Sequence, residues 1–424
     1  MDSENDASSL EGGLPTGAPD AEVEVYGDGV DSGGESRAGG SQFRWGWQQT
    51  FVSTVGLVLV AVVIAWFIQL PYYALTPGAA PAVSSLIKVP AAHRHSHRGS
   101  VLLVYVELTQ LRALYYPFFW LDPNATIYPS GEILGSESSA QYATEGEIDM
   151  STAQQAATVV ALRELGYKVP VVELGALVYG ILPGTPAAAA ALQVGDVISK
   201  LNGSKVPTYL SLATRLEALA PGATVHVTVS VYPAGKPKTV TFRLGVFRTT
   251  GPDAYDCFPE GKGTKYKILP FVTVKGGKAH PVACMGIYPQ GSGPESIDGT
   301  AFKVGPLPVK VDLSSEGIVG PSAGLAFTLG LMEELDPEDL TGGLKIAATG
   351  TMSIDGSVGD VGGVAQKTIA VRDAGASAFL VPPQEYSVAK AHAGGHLKVY
   401  AVSTIGQAVR DLELLGGRIA GTSA

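Results

Sequence analysis

A continuous apolar stretch near the N-terminus constrains this 424-residue chain more than any other feature. Residues 51–70 read FVSTVGLVLVAVVIAWFIQL and contain no charged side chain. At a rise of about 1.5 Å per residue, such a helix spans about 30 Å, which is the thickness of the hydrocarbon core of a bilayer. The sequence therefore predicts a single transmembrane helix over residues 49–70.

The charges on either side of this stretch predict its orientation. Arg37 and Arg44 precede it, and no basic residue follows until Lys88. Because basic residues favour the cytoplasmic side, we expect a single-pass cell-membrane protein with a cytoplasmic N-terminus and an extracytoplasmic C-terminal part. A cleaved signal peptide is the alternative, since Ala80 and Ala82 form a small-x-small site.

The net charge of −10 is concentrated before the apolar stretch. Residues 1–48 contain ten acidic and two basic residues, a net charge of −8, which leaves −2 for the rest of the chain. This segment is rich in Gly and Ser and has almost no aliphatic pattern, so we expect a disordered acidic tail. The chain has no Lys/Arg-rich run, which argues against nucleic acid as a partner.

Residues 71–98 are expected to be a linker. They include the run HRHSHR, whose alternating histidines, His93, His95 and His97, would chelate a metal ion if the segment were a strand. Arginines flank these histidines and no carboxylate is near them in the sequence, so we expect a solvated linker and no metal site. No cofactor is predicted anywhere in the chain.

The two cysteines, Cys257 and Cys284, lie in the part of the chain that is expected to be exported. An oxidising compartment preserves disulfides, so the sequence favours a bridge between them. Two unrelated thiols stay open as the alternative, because this argument rests on the compartment and not on geometry.

Residues 99–165 form the N-terminal part of the expected extracytoplasmic region. The β-branched run Gly99–Glu107 predicts a strand. Ser151–Gln154 has the pattern of a capping box and predicts a helix that ends near Leu165. Residues 120–150 show no pattern that assigns them to an element.

A module at residues 166–248 follows. Its text LGALVYGILPGTPAAAAALQVGDVISKLNGSKV predicts a strand, a short Ala-rich helix, a second strand and an Asn-Gly turn. The string PGTPAA…L…GDVI…NG resembles the PDZ domains of bacterial envelope proteases. That resemblance implies that an extended peptide binds in a groove between strand 177–181 and helix 209–219. The implied carboxylate-binding loop comprises Leu174, Gly175 and Ala176, and a rigid spacer without a ligand is the alternative.

A serine stands at the predicted start of an apolar helix within VKVDLSSEGIVGPSAGLAFTLGLMEEL, residues 309–335. Helix N-termini present unpaired N–H groups and partial positive charge, which stabilise a developing oxyanion. Ala323 and Gly324 are small, so a peptide carbonyl group can approach Ser322. Taken alone, an ordinary capping serine is the simpler interpretation.

A lysine lies on a second predicted helix within ATGTMSIDGSVGDVGGVAQKTIAVRDAGASAFLVPPQE, residues 348–385. Lys367 has the apolar neighbours Val364, Ile369 and Ala370 on this helix. Burial disfavours the charged form of lysine, and a neutral amine can accept the proton of a serine hydroxyl. A lone lysine on a helix is nevertheless a surface residue by default.

Together the two stretches resemble the proteolytic domain of the Lon family, whose members are Ser–Lys dyad peptidases. Gly320–Gly324 provides one motif, and the spacing from Thr349 to Lys367 provides the other. The resemblance implies that Ser322 is the nucleophile, that Lys367 is the general base, and that the Thr349 hydroxyl positions the lysine. It also implies a protease domain over about 250–424, completed by residues 99–165, with the PDZ module inserted between them.

Two departures from the Lon pattern are visible. The sequence has no G-x-x-x-x-G-K-[ST] loop for ATP, and Val319 stands where Lon sequences usually have an acidic residue. A membrane anchor, a PDZ module and a Lon-like domain without a motor resemble a group of envelope proteases from Gram-positive bacteria. The expected fold class is therefore multidomain α+β, with a disordered tail, one transmembrane helix, a β-sandwich-like PDZ domain and an α/β proteolytic domain.

The sequence thus predicts an ATP-independent, membrane-anchored serine endopeptidase that cleaves exported or envelope proteins. Its expected partners are protein or peptide substrates and the membrane. The sequence does not predict the oligomeric state, and a homo-oligomer is one of the alternatives. A non-catalytic PDZ adaptor on a Lon-like scaffold is the alternative from another class. A metalloprotease is disfavoured because the chain has no H-E-x-x-H motif.

Overall fold

A computed structural model describes residues 46–135, 138–232, 235–249, 255–258, 282–288 and 299–420. Almost all of the predicted acidic tail therefore lies outside the described residues. The chain divides into two units, Met1–Leu59 and Val60–Ala424.

The predicted membrane segment is a helix, α1, which spans Trp47–Phe67. Its Gln49–Phe67 part has a mean hydropathy of 2.4 and none of it is buried, so by length and composition it is able to cross a membrane. The helix ends before the predicted boundary at residue 70, because Gln69 already belongs to a strand.

Residues 69–164 contain five strands and three helices. The strands are β1 (Gln69–Pro77), β2 (Ile87–Lys88), β3 (Ser100–Leu103), β4 (Val106–Arg112) and β5 (Thr126–Pro129). The helices are α2 (Tyr116–Leu121), α3 (Ser130–Leu134) and α4 (Ser139–Glu164).

The linker predicted at residues 71–98 is wrong over most of its length. β1 is the central strand of an antiparallel sheet with the order β4-β1-β5. Val83, Leu86 and Ile87 are buried in the largest hydrophobic core. The Pro-rich and Ala-rich composition of residues 71–98 is typical of a linker, but these three closely spaced apolar residues have a core to pack against.

Helix α4 also begins earlier than the sequence indicates. Its N-cap is Ser138, whose side chain accepts from the Gln141 amide while the Gln141 side chain accepts from the Ser138 amide. The capping box predicted at Ser151–Gln154 instead lies in the middle of the helix, where main-chain bonds already satisfy the backbone.

The predicted PDZ module forms a twisted antiparallel sheet with two short helices. Its elements are β6 (Val171–Leu177), β7 (Gly180–Ile181), α5 (Pro186–Ala189), β8 (Asp196–Leu201), β9 (Ser204–Lys205), α6 (Tyr209–Glu217), β10 (Thr224–Val231) and β11 (Lys238–Arg243). Apolar residues from β6, β8, β10 and α6 form a core of their own. The helix and turn predictions for this module agree with the structure.

Where the structure describes the chain after the module, it forms four short strands: β12 (Gly245–Thr249), β13 (Tyr255–Phe258), β14 (Ala283–Cys284) and β15 (Ile287–Tyr288). β12 pairs with both β13 and β14. β15 pairs with β7, so this part of the chain returns to the PDZ module.

The C-terminal region alternates strands and helices. Its strands are β16 (Thr300–Val304), β17 (Asp312–Leu313), β18 (Lys345–Ala348), β19 (Thr351–Met352), β20 (Val358–Gly359), β21 (Ala378–Val381) and β22 (Lys398–Ala401). Its helices are α7 (Gly324–Leu335), α8 (Val364–Asp373), α9 (Tyr386–His392) and α10 (Ile405–Leu414).

A parallel sheet with the order β22-β21-β18-β3 organises this region. Its two faces are buried in different hydrophobic cores, as expected for a parallel sheet covered by helices. Val101 and Leu103 lie in the core shared with α4 and α7, whereas Leu102 lies in the core shared with α8 and α9. The segment before the PDZ module and the segment after it therefore build one core, with the module inserted between α4 and α7.

The packing of the supposed linker can be tested at Leu86, whose side chain is 1% exposed. We expect Leu86→Ala to lower the free energy of unfolding by about 2–5 kcal/mol, because it removes buried methyl groups and leaves a cavity. Leu210→Ala, at a side chain that is 73% exposed on α6, is the matched control and should change it by no more than about 0.5 kcal/mol. Equal small effects in urea unfolding would restore the linker interpretation.

Candidate active site

Ser322 lies in a single 3-10 turn, Pro321–Ala323, that leads directly into α7. Gly320 precedes this turn with φ of +91°, a conformation that strongly favours glycine. Its amide donates to the carbonyl oxygen of Gly146 on α4 at 2.8 Å, so α4 fixes the approach to the turn. Ser322 is partly exposed, whereas Pro321 and Ala323 are buried.

The capping interpretation of Ser322 does not agree with the structure. The residue at the N-cap of α7 is Ala323, and no side chain caps either the turn or the helix. The Ser322 hydroxyl is therefore not committed to a capping hydrogen bond.

Thr349 directly follows β18 and forms a hydrogen bond to the serine turn that precedes α7. Its hydroxyl donates to the Ser322 carbonyl oxygen at 3.2 Å, and the amide of Gly350 donates to the same oxygen at 3.0 Å. In return the Leu325 amide donates to the Gly350 carbonyl oxygen at 3.0 Å. These three bonds hold the serine turn against the carboxyl end of the central strand.

Lys367 projects from α8 toward the same threonine. Its Nζ atom lies 3.3 Å from Thr349 Oγ1, and its side chain is 3% exposed. The surface interpretation of this lysine is therefore wrong. The structure thus brings the three predicted residues together in the order Lys367, Thr349 and Ser322, with the threonine in contact with both of the others.

Gly324, the second residue after Ser322, has a further reason for its small size. A Cβ atom added at Gly324 would lie 2.7 Å from the Met352 amide nitrogen, so the close packing of α7 on β19 requires glycine there. Val319, which replaces the acidic residue of the Lon pattern, is 49% exposed. Its side chain lies against Gly146 of α4, where an added Cβ atom would lie 3.1 Å from it.

Glu385 is a neighbour of the site that was not predicted from the sequence. It follows β21 and accepts a hydrogen bond from the Val361 amide at 3.4 Å. Burial and the charge of Asp360 raise the pKa of the Glu385 carboxyl above its usual range, while the Lys367 ammonium opposes that rise. The position of Glu385 in the sequence could have indicated it. Carboxyl ends of adjacent parallel strands meet at one edge of a sheet, and Glu385 follows β21 as Thr349 follows β18.

The residues predicted for a carboxylate-binding loop lie inside a strand instead. Leu174, Gly175 and Ala176 belong to β6, which pairs with β8 on one side and with β16 on the other. A Cβ atom at Gly175 would lie 2.2 Å from the Ile198 carbonyl oxygen, so this glycine serves close strand packing. The loop prediction is wrong because a partner strand from residues 300–304 covers this edge.

Cys257 and Cys284 lie on β13 and β14, the two strands that flank β12. They form a disulfide, with Cα atoms 5.9 Å apart.

Comparison with known proteins agrees with this architecture. Residues 163–244 match the family model of the PDZ domain, and residues 298–412 match that of the Lon protease (S16) C-terminal proteolytic domain. The chain contains a PDZ domain and a Lon-type proteolytic domain. These matches confirm the predicted resemblance and fold class, and they support a serine peptidase with a peptide-binding module.

Similar individual proteins match over short segments only. A probable periplasmic serine endoprotease DegP-like of Rhizobium meliloti is 41% identical over 71 residues, 17% of this chain and 14% of that protein. One with the same description from Bartonella henselae is 40% identical over 70 residues, 16% of this chain and 13% of that protein. The chain therefore spans about a seventh of the length of these curated relatives.

Among solved structures, the PDZ domain of an SdrC-like protein from Listeria monocytogenes is 21% identical, with a TM-score of 0.16. The match covers 17% of this chain and 72% of that one. A structure from Geobacillus thermodenitrificans is 27% identical, covers 16% of this chain and 77% of its own, and has a TM-score of 0.15.

Glu385 predicts a pH dependence of stability. Since the folded protein raises its pKa, the folded state holds this proton more tightly than the unfolded state. The contribution to stability is present at pH values below the unfolded pKa of about 4.3 and is lost as the pH rises through the folded value. We expect Glu385→Gln to reduce the fall in melting temperature between about pH 4.5 and pH 7, measured by calorimetry.

Glu107→Gln, at an exposed position on β4, is the matched control for the loss of one carboxyl group. If the melting temperature of Glu385→Gln changed with pH in parallel with that of the parent protein, the raised pKa of Glu385 would be contradicted.

Proposed function

We propose that the protein is a Ser–Lys dyad endopeptidase in which Ser322 is the nucleophile and Lys367 the general base. The observation that carries the proposal is the buried lysine, whose Nζ atom contacts the hydroxyl of Thr349 beside the Ser322 main chain. A low-dielectric site favours the neutral amine that a general base requires. Thr349 acts as a positioning residue, because it touches both elements of the dyad.

The reaction follows from this arrangement. The Lys367 amine takes the Ser322 hydroxyl proton as Oγ attacks the peptide carbonyl carbon, and main-chain N–H groups at the start of α7 stabilise the oxyanion. The Lys367 ammonium then protonates the leaving amine as the C–N bond breaks, leaving an acyl-enzyme. Water attacks the ester with the amine again as base, and Ser322 recovers its proton.

The substrates proposed are flexible or unfolded segments of exported or envelope proteins. The sequence contains no nucleotide-binding loop of the type that powers unfolding by Lon proteases, so we propose that cleavage is independent of ATP.

Removing either member of the dyad should abolish peptide hydrolysis. We expect Ser322→Ala and Lys367→Met each to lower kcat/KM by at least about 10³-fold, because neither acylation nor proton transfer is then possible. Thr349→Val, which removes only the positioning hydroxyl, should lower it by about 10–100-fold. Hydrolysis of an unstructured fluorogenic peptide by the full chain in detergent provides the measurement.

Lys390→Met, at an exposed lysine on α9, is the matched control and should keep full activity. Melting temperatures show which variants are folded. A folded Ser322→Ala or Lys367→Met with undiminished turnover would refute the dyad, and a parent protein without turnover would favour the non-catalytic adaptor.

We further propose that the PDZ domain binds extended peptides along β16 and not at the loop first predicted. β16 ends the strand order β11-β10-β8-β6-β16, so within the described residues no strand pairs with its outer edge. Helix α6 begins beside it, since the Tyr209 amide donates to Thr300 Oγ1 at 3.2 Å. An open strand edge next to a helix is the geometry that accepts a peptide as an added strand.

This choice of edge predicts which substitution weakens peptide binding. Thr300→Val removes the acceptor that ties β16 to the start of α6. We expect the looser groove to bind peptides up to roughly fivefold more weakly, the limit reached if the whole hydrogen bond of about 1 kcal/mol has to be replaced on binding. Fluorescence anisotropy of labelled peptides with free C-termini, in a Ser322→Ala background, measures it. Leu174→Ala, in the loop site first predicted, should stay within about twofold, and the opposite ranking would restore that site.

For the location we propose a single membrane crossing by α1, with the PDZ and proteolytic domains extracytoplasmic. Two features besides α1 support a membrane. The Tyr115 ring packs edge-on to Trp66 with centroids 5.6 Å apart, and the adjacent α2 exposes Phe118, Trp120 and Leu121 by 68–71%. Aromatic side chains of this kind favour the bilayer interface. The Cys257–Cys284 disulfide suits an oxidising compartment.

A further inference from the structure

We propose that His97, Glu333 and Asp339 bind a zinc ion at the C-terminal end of α7. Each side chain offers one ligand atom, and the three atoms lie within 4.8 Å of one another. The three residues come from separate parts of the chain: His97 precedes β3, Glu333 lies in the last turn of α7, and Asp339 lies in the loop that follows. The sequence alone predicts no metal here, because no carboxylate is near His97 in the sequence.

Glu333 is the observation that points to a cation. Its side chain is buried, with 6% exposed. Its Oε1 atom accepts from the Thr341 hydroxyl at 2.9 Å, whereas its Oε2 atom is buried and has no hydrogen-bond partner among the described residues. A buried carboxylate oxygen without a partner is costly, and a metal ion is one of the few groups that satisfies it.

The hydrogen bonds around Glu333 satisfy its carboxyl group only in part. The Thr341 hydroxyl also lies 2.8 Å from Asp339 Oδ1, and one hydroxyl proton cannot be donated to both carboxylates. The C-terminus of α7 adds partial negative charge at the same place. The nearby Arg94 guanidinium forms its ion pair with the neighbouring carboxylate, Glu334.

His97 has the hydrogen bond that a metal-binding histidine usually has. Its Nε2 atom lies 3.1 Å from the carbonyl oxygen of Asp336. With Nε2 donating to that oxygen, the neutral imidazole keeps its lone pair on Nδ1. Backbone carbonyl groups commonly fix the tautomer and the orientation of histidine ligands in this way.

The donor set selects the class of metal. One imidazole nitrogen and two carboxylate oxygens suit Zn²⁺, whereas Ca²⁺ and Mg²⁺ prefer oxygen ligands alone. Ligands of a tetrahedral zinc ion, at about 2.0–2.2 Å from it, lie about 3.4 Å apart. His97 and Asp339 are half-buried and able to close on the fixed Glu333, and water would complete the coordination.

Bound zinc would brace the helix that carries the serine turn. It would join the C-terminal end of α7 to the segment before β3 and to the loop that holds Asp339. We therefore assign the ion a structural role, separate from the proposed reaction at the other end of the helix.

The test titrates Zn²⁺ into the untagged, metal-free full chain in detergent by calorimetry, with Ca²⁺ and Mg²⁺ as separate arms. We expect one equivalent of Zn²⁺ to bind and to raise the melting temperature by several degrees, because the ligand binds only the folded state. His97→Ala and Asp339→Asn should each weaken zinc binding by about 100-fold or more, since even outer partners of such sites contribute 10–100-fold. Co²⁺ should give a visible absorption band that His97→Ala removes.

His93→Ala and His95→Ala are the matched controls, because these histidines belong to the same run but not to the cluster. If either weakens binding as much as His97→Ala, the histidine run is the ligand and the proposed site is wrong. No saturable zinc binding, or preference for Ca²⁺ or Mg²⁺, would also overturn it. None of these measurements depends on proteolytic activity.

Discussion

The parallel pairing of β3 with β18 is the contact on which the proteolytic domain depends. β18 lies between β3 and β21, and its carboxyl end delivers Thr349 to the serine turn. In the core beside this pair α4 packs against α7, and the Gly146 carbonyl oxygen of α4 accepts from the amide of Gly320. Without β3, the central strand would lose one neighbour, and the core shared by α4 and α7 would lose Val101 and Leu103.

The local elements of the site were predictable from the sequence because their signals are local. The apolar face of α7, the Gly-Pro turn before it and the glycines before α8 place Ser322 and Lys367 on the correct elements. The burial of Lys367 was not decidable from spacing alone, since its helix has only a short apolar face. The contact with Thr349 depends on how α8 packs across the sheet.

The errors came from partners that are distant in sequence. Val83 and Leu86 lie in text that resembles a linker, and they are buried only because α7 and β3 provide a surface for them. Gly175 resembles a loop glycine until β8 and β16 are placed on either side of it. Glu333 and Asp339 are 236 and 242 residues from His97, so no reading of neighbouring residues joins them.

The PDZ domain and the proteolytic domain share a strand. β16 completes the sheet of the first, yet it falls within residues 298–412, which match the second. A peptide that pairs with β16 would therefore contact the chain segment that leads, 18 residues after Val304, to Ser322. The two domains are joined by a structural element and not only by a connecting loop.

The insertion of one domain into the other also delays the pairing of β3 with β18 while the chain is being synthesised. β3 emerges early, but its partner β18 follows 242 residues later, a delay of roughly 10–50 s at ordinary rates of translation. During that interval the serine turn, Thr349 and Lys367 do not yet exist together. The proposed site is therefore assembled only after the last third of the chain has been made, because its three residues all lie there.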